Sequence, residues 1–139
     1  MKIASLTLEE ILPIRHRVLW PDKPISFCRV PEDKQGSHYG VRLNGSVVCV
    51  ASLYTEHGQA RLRKFATVEE HQGRGIGSAM LKHLIQESRN LGLSVFWLDA
   101  REEAINFYLK FGFVIDSERF YKSGMPYFKM SKPLHTPSM

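Results

Sequence analysis

Apolar and polar positions change period several times along the chain, and each change marks an element. Lys2 to Leu6 alternates weakly and reads as a strand. Thr7-Leu8-Glu9-Glu10 has the capping-box form, with Thr7 as cap and Glu10 three positions on. Leu8, Ile11, Leu12 and Arg15 then recur at helical spacing to about Leu19, before Pro21 and Pro24 end the helix. Trp20 to Gly36 is a loop of little periodicity, and a loop of that length in a compact domain is more often functional than idle. His38 to Leu43 and Val47 to Leu53 flank Asn44-Gly45, a pair that tolerates the positive φ angles of a tight hairpin turn. After a break at Glu56-His57-Gly58, Gln59 to Val68 reads as a third strand, with Ala60, Leu62 and Lys64 on one face and Arg61, Arg63 and Phe65 on the other.

The second half begins with a glycine-rich turn and the best-defined helix of the chain. Ile76, Ala79, Met80, Leu81, Leu84 and Ile85 share its apolar face, opposite Lys82, His83, Gln86, Glu87, Arg89 and Asn90. Leu91-Gly92 stops it, and the nearly continuous apolar run Leu93 to Leu98 reads as a buried strand, which makes a βαβ crossover. From about Arg101 a helical stripe of Ala104, Ile105, Tyr108 and Phe111 runs to Gly112, followed by a strand at Phe113-Val114-Ile115. Gly124 and Pro126 divide Ser117 to Lys122 from Tyr127 to Lys132 as a closing hairpin, leaving 133–139 as a frayed tail.

Composition narrows the classes. The chain has 139 residues, 43% hydrophobic and 24% charged, which suits one globular domain over 1–139 with a core large enough to need no disulfide or metal. No apolar run approaches the ~20 residues of a membrane-spanning helix, and the N-terminus lacks a signal-peptide core, so a soluble cytoplasmic protein without membrane partners is expected. Cys28 and Cys49 have neither zinc-ligand nor redox spacing. The net charge of +5 favours anionic partners, but the basic residues are scattered rather than blocked, so no nucleic acid is expected.

The chemistry concentrates at Gln72-Gly73-Arg74-Gly75-Ile76-Gly77-Ser78, between a strand and a helix N-terminus. Glycines allow close backbone approach, and a helix start offers unpaired N–H groups with partial positive charge, so the segment suits a phosphate or pyrophosphate. The plainer alternative is a tight strand-to-helix turn with no ligand. A P-loop is excluded because no lysine follows the second glycine, and a dinucleotide fingerprint because its third glycine falls on Ser78 or Met80. Gln72, Gly75 and Gly77 match the Q/R-x-x-G-x-G/A motif of the GNAT superfamily of acyl-CoA-dependent N-acetyltransferases. About thirty residues on, Ala104-Ile105-Asn106-Phe107-Tyr108-Leu109-Lys110-Phe111-Gly112-Phe113 resembles that superfamily's A-x-x-FY-x-K-x-GF segment. The resemblance covers roughly Lys2 to Met130.

The resemblance implies a single α/β domain whose mixed, mainly antiparallel sheet of about six to seven strands splays at the glycine loop, with helices on both faces. It implies acetyl transfer from acetyl-CoA to a primary amine by direct attack, with no metal. Backbone amides from Gln72 through Gly73, Arg74, Gly75, Ile76, Gly77 and Ser78 would bind the CoA pyrophosphate. Main-chain groups at Ala66, Thr67 and Val68 would pair with the pantetheine arm and polarise the thioester carbonyl. Tyr108 would protonate the departing thiolate, a phenol of pKa ~10 being near enough to an alkyl thiol for shared-proton work. Its plainer reading is a core aromatic.

For the base that deprotonates the amine, Glu69 is named first, from a set that includes Glu70, His71, Glu56, Asp99 and Glu102. Many members carry proline at the Glu69 position and asparagine at that of Arg101, so these two are departures. Arg17, Trp20 and Tyr127 are acceptor-site candidates, with His38 and Tyr121 beside them. The acceptor is a small-molecule or peptide amine, and a homodimer is compatible with the pattern. The competing reading is a non-catalytic CoA-binding regulatory or interaction module.

Overall fold

The computed structural model describes residues 1–134. The chain divides into two compact units, Met1–Tyr54 with Arg63–Leu84, and Thr55–Leu62 with Ile85–Met139. Neither is a contiguous stretch of sequence, because two strands and one helix each pass from unit to unit.

The first unit is built on β1 (Ile3–Ser5), helix α1 (Leu8–Leu19), β2 (Ser37–Leu43), most of β3 (Ser46–Glu56) and the second half of β4 (Gln59–Thr67). Helix α1 starts where the capping box predicts: the Glu10 N–H donates to Thr7 Oγ1 at 3.2 Å and the Thr7 N–H to Glu10 Oε1 at 2.9 Å. β1 pairs antiparallel with β2, Ile3 opposite Val41. β2 pairs antiparallel with β3 through the Asn44-Gly45 turn, whose φ angles of 53° and 81° are those that such a pair favours. β3 is buried without interruption from Val48 to Tyr54, so both its faces are covered. Ile11, Leu12 and Ile14 of α1 and Met80, Leu81 and Leu84 from the start of α2 (Ile76–Asn90) complete this core. The loop after α1 is not featureless: it holds two 3-10 turns, Ile25–Cys28 and Asp33–Gln35.

The second unit carries the first half of β4, then β5 (Val95–Arg101), α3 (Ile105–Leu109), β6 (Val114–Ile115), β7 (Phe120–Lys122) and β8 (Met125–Pro133). β4 and β5 pair in parallel from Gln59 opposite Val95 to Leu62 opposite Leu98, as the crossover through α2 predicts. β8 lies antiparallel to β5, to β6 and to β7. Phe96, Leu98 and Ala100 of β5 face the core with Met130 of β8, and Phe96 packs edge-to-face on Phe113 at 5.6 Å.

Several expectations are corrected. Among the described residues the mixed, mainly antiparallel α/β sheet has eight strands, where the resemblance implies about six to seven; β6 and β7 are only two and three residues long. β5 begins and ends later than the apolar run, and only alternate residues are buried, since Trp97 belongs to the more open face. β4 does not alternate undisturbed: Lys64 has φ of 55°, a conformation that breaks the pleat two residues beyond the Leu62–Leu98 pair. Residues 133 and 134 are ordered parts of the unit rather than tail. Pro133 ends β8 and Leu134 is buried, its N–H donating to Ser94 O at 2.9 Å, while 135–139 lie outside the described residues.

Candidate active site

At the end of β4 the chain is pinned before the glycines begin. The Val68 N–H donates to Val48 O at 2.9 Å, and the Gln72 side-chain amide donates to Thr67 O at 2.8 Å. A single 3-10 turn, Glu69–His71, follows, closed by the Gln72 N–H on Glu69 O. Two of the proposed ligand-binding amides, those of Val68 and Gln72, are therefore already spent inside the protein. Gln72 braces the loop through its side chain instead.

Beyond Gln72 the picture changes. Gly73 and Gly75 have φ of 76° and 83°, which side-chain-bearing residues rarely adopt, and a Cβ at either would meet nothing within 4 Å. Among the described residues, no hydrogen bond of good geometry engages the N–H groups of Gly73, Gly75, Ile76, Gly77 or Ser78; the first amide of α2 taken up is that of Ala79, by Gly75 O at 3.0 Å. The cradle is open, its donors are unspent, and the first turn of α2 adds its partial positive charge beside exposed Arg74. These residues fit a pyrophosphate.

Tyr108 sits in α3 within the second unit, 7% exposed, with its ring edge-to-face on Phe113 at 5.8 Å and on Phe107 at 5.2 Å. Burial pushes its phenol well above the ordinary value. The group therefore holds its proton more tightly than the balanced sharing expected from an unperturbed phenol. It is protonated at neutral pH.

Of the carboxylates considered as bases, most are engaged. Glu70 takes both oxygens to Arg17 Nη2, at 2.5 and 2.6 Å, and this hydrogen bond holds its carboxyl below the ordinary range. Glu69 stands 3.7 Å from the same nitrogen and is largely exposed. Asp99 is held by Arg61 at 3.0 Å and Lys122 at 2.8 Å, Glu102 by Arg119, and Glu56 lies beside His57 at 3.1 Å. His71 Nδ1 is buried with no hydrogen-bond partner.

The acceptor candidates separate. Arg17 ties the last turn of α1 to the turn that precedes the glycine loop. Trp20 caps α1 and packs edge-to-face on Phe27 at 5.3 Å, with Lys23 over the Phe27 ring. Tyr127 stacks on Phe120 at 5.9 Å and lies within 3.5 Å of Arg101 Nε, and Tyr121 is exposed. His38 has both ring nitrogens engaged, by Ser52 Oγ at 2.7 Å and Asp33 O at 2.9 Å. Since a carbonyl only accepts, Nε2 carries the proton and Nδ1 accepts from Ser52. It is a structural histidine.

Two constellations escape a reading of the chain by eye. The first is buried: Arg15 donates to Asp33 at 3.0 and 2.9 Å, to Cys28 O at 2.9 Å and to Ser52 Oγ at 2.9 Å, while Asp33 also accepts from the Tyr54 hydroxyl and the Val30 N–H. An arginine on the apolar stripe of α1 is its visible signal. The second lies on the open face of β5, where Arg61 and Lys129 sit over the Trp97 ring at 4.4 and 4.9 Å.

Known proteins resemble this chain in sequence and in fold. Residues 6–113 match the family model for the acetyltransferase (GNAT) family. An uncharacterized N-acetyltransferase, YitI, of Bacillus subtilis is 32% identical over 121 residues, covering 81% of each chain. The crystal structure of the ribosomal-protein-S18-alanine N-acetyltransferase from Escherichia coli superposes with a TM-score of 0.80 at 22% identity, covering 99% of this chain and 96% of that one. An acetyltransferase from Elizabethkingia anophelis with acetyl-CoA bound superposes with a TM-score of 0.75 at 17% identity, over 95% of this chain and 97% of that one.

Proposed function

This chain belongs to the acetyltransferase (GNAT) family, and from that premise we propose that Gly73 to Ser78 hold the pyrophosphate of acetyl-CoA and that Tyr108 supplies the proton taken up by the departing thiolate. The enzyme is an N-acetyltransferase, and acetyl-CoA is its co-substrate. Acetyl-CoA supplies an activated acyl carbon; a C–N bond to the amine forms there as the C–S bond breaks. The chain's part is to bind, to orient and to move two protons.

The observation that carries this assignment is the run of unspent amides leading into the start of α2, opened by two glycines of positive φ. Arg74 adds a charge that suits a diphosphate. Ala66 and Thr67 are assigned to the pantetheine arm, Ala66 buried and Thr67 partly so, with the Thr67 hydroxyl on Cys49 Sγ at 3.5 Å. Val68 gives shape to this edge, its N–H being taken. Glu69 is assigned the proton of the amine, because Arg17 holds Glu70 more closely and leaves Glu69 exposed. Arg17, Trp20 and Tyr127 are assigned to the acceptor side. A peptide amine is a natural acceptor class, since the E. coli relative is named for an alanine of a ribosomal protein. Among the described residues no helix is long and apolar enough to cross a membrane, which is in keeping with a cytoplasmic enzyme.

Calorimetric titration with acetyl-CoA and single-turnover transfer to a short peptide with a free amino terminus test both roles. Gly75→Glu places a side chain at φ of 83° and a carboxylate beside the diphosphate, so it abolishes acetyl-CoA binding in folded protein. Tyr108→Phe binds acetyl-CoA normally and slows transfer by roughly 10²–10⁴-fold, the range for loss of a positioned acid. Unchanged single-turnover transfer in Tyr108→Phe would show that the phenol is packing alone.

A further inference from the structure

The open face of the second unit carries charge that the reaction itself does not use. The strand registers place Arg61 and Ser131 on either side of Trp97, Lys129 beside Asp99, and Tyr127 beside Arg101; Phe120 of β7 follows opposite Tyr127, with Lys122 two residues on. Three cations, Arg61, Lys122 and Lys129, thus gather around one carboxylate, Asp99, which both Arg61 and Lys122 reach. The side chains of Arg61 and Lys122 keep 28% and 39% of their exposure, although Arg61 Nε itself is buried. A second carboxylate, Asp116, accepts from Ser131 Oγ at 3.2 Å, but with Arg101 on the same face the cations still outnumber the carboxylates, and an anionic ligand with more than one charge would neutralise the excess.

Resting on the acetyltransferase reading, we propose that this face binds the carboxylates of the acceptor, and that the amine substrate is therefore an acidic peptide. Two features favour a peptide over a single-stranded nucleic acid. Successive same-face rows of a strand are about 7 Å apart, the repeat at which alternate side chains of an extended peptide project to one side. The aromatic rings are also occupied by the protein's own groups: Arg61 and Lys129 lie over Trp97, Phe120 stacks on Tyr127, and Lys122 lies over Tyr127 at 5.0 Å. Rings already covered offer little stacking surface to bases.

The test is calorimetry on the full chain, with and without acetyl-CoA. Its probes are a pentapeptide with central glutamates and a free amino terminus, its glutamine counterpart, and an oligouridylate. The glutamate peptide binds roughly tenfold more tightly than the glutamine peptide, and added salt narrows the gap. Lys129→Glu removes the gap, Lys129→Arg keeps it, and Lys122→Gln reduces it, all with unchanged affinity for acetyl-CoA. Equal binding of the two peptides by protein that binds acetyl-CoA overturns the proposal and leaves the acetyltransferase reading standing. So does a gap that survives Lys129→Glu, or an oligouridylate that displaces the acidic peptide. A glutamate preference in folded protein that binds no acetyl-CoA overturns the enzyme reading instead, and with it the acceptor role of the face.

Discussion

Each unit holds an arginine locked to an aspartate, and the two pairs are solved in opposite ways. In the first unit Arg15 is fully buried against an Asp33 side chain that is 5% exposed, and the charges balance one to one. Every oxygen of Asp33 is occupied: Arg15 takes both carboxylate oxygens, the Tyr54 hydroxyl and the Val30 N–H add to them, and His38 takes the backbone carbonyl. In the second unit Arg61 and Lys122 share Asp99 at the edge of solvent, so positive charge is left over. Burial forces a charge to be neutralised and hydrogen-bonded, while partial exposure lets an excess persist because water carries part of its solvation. The buried pair is a strut for the loop between α1 and β2, through Cys28 O and Val30 N. The exposed cluster is free to serve a ligand.

Removing one partner of the buried pair is the severest way to test that division. Asp33→Ala leaves the Arg15 charge uncompensated in the core and lowers stability by about 3–5 kcal/mol, read as a shift of the urea midpoint. The double variant Arg15→Met with Asp33→Leu removes the charges together and recovers most of that loss, because well-packed apolar groups often replace buried ion pairs at little cost. If the single and double variants are equally unstable, the pair contributes shape and not charge compensation.

Acid probes the same pair without mutation. Burial pushes the Asp33 carboxyl up, but the hydrogen bonds from Arg15, Tyr54 and the Val30 amide outweigh it and hold the group at about 2, against 3.8 unperturbed. A depressed folded-state value contributes stability that is present above the unfolded value and is lost as pH falls from about 4 through about 2. The linkage is worth about 2 kcal/mol. Denaturation midpoints of the wild type therefore fall across that window, and Asp33→Asn flattens the fall; an unchanged slope would assign the acid sensitivity elsewhere. The same contacts leave the Tyr54 hydroxyl at about 12, raised by burial and by its bond to Asp33, so it donates throughout the range.

What was legible in the sequence follows the distance over which each feature is decided. The capping box at Thr7, the Asn44-Gly45 turn and the glycine loop depend on residues within a few positions of one another, and they stand where the pattern put them. Arg15 meets Asp33 across 18 positions and Ser52 across 37, so its stripe position announced a buried arginine but not its partners. The run Leu93 to Leu98 misled for a related reason. Trp97 is apolar in composition, yet its ring is covered by Arg61 from β4 and Lys129 from β8, and only strand register reveals that. Lys64 likewise gives no local sign of its positive φ, since lysine has no preference for that conformation.

Asp99→Asn is the smallest perturbation in stability and the sharpest contrast with Asp33. Its partners are partly exposed, so water replaces much of what the carboxylate gave, and the loss is below about 1 kcal/mol. Freed from Asp99, Arg61 and Lys122 turn to the ligand, and affinity for the glutamate pentapeptide rises severalfold. Asp33→Ala, by contrast, leaves that affinity unchanged in whatever fraction stays folded. A large stability loss in Asp99→Asn, with no gain in acidic-peptide binding, would make the second cluster another strut and remove the distinction between the two units.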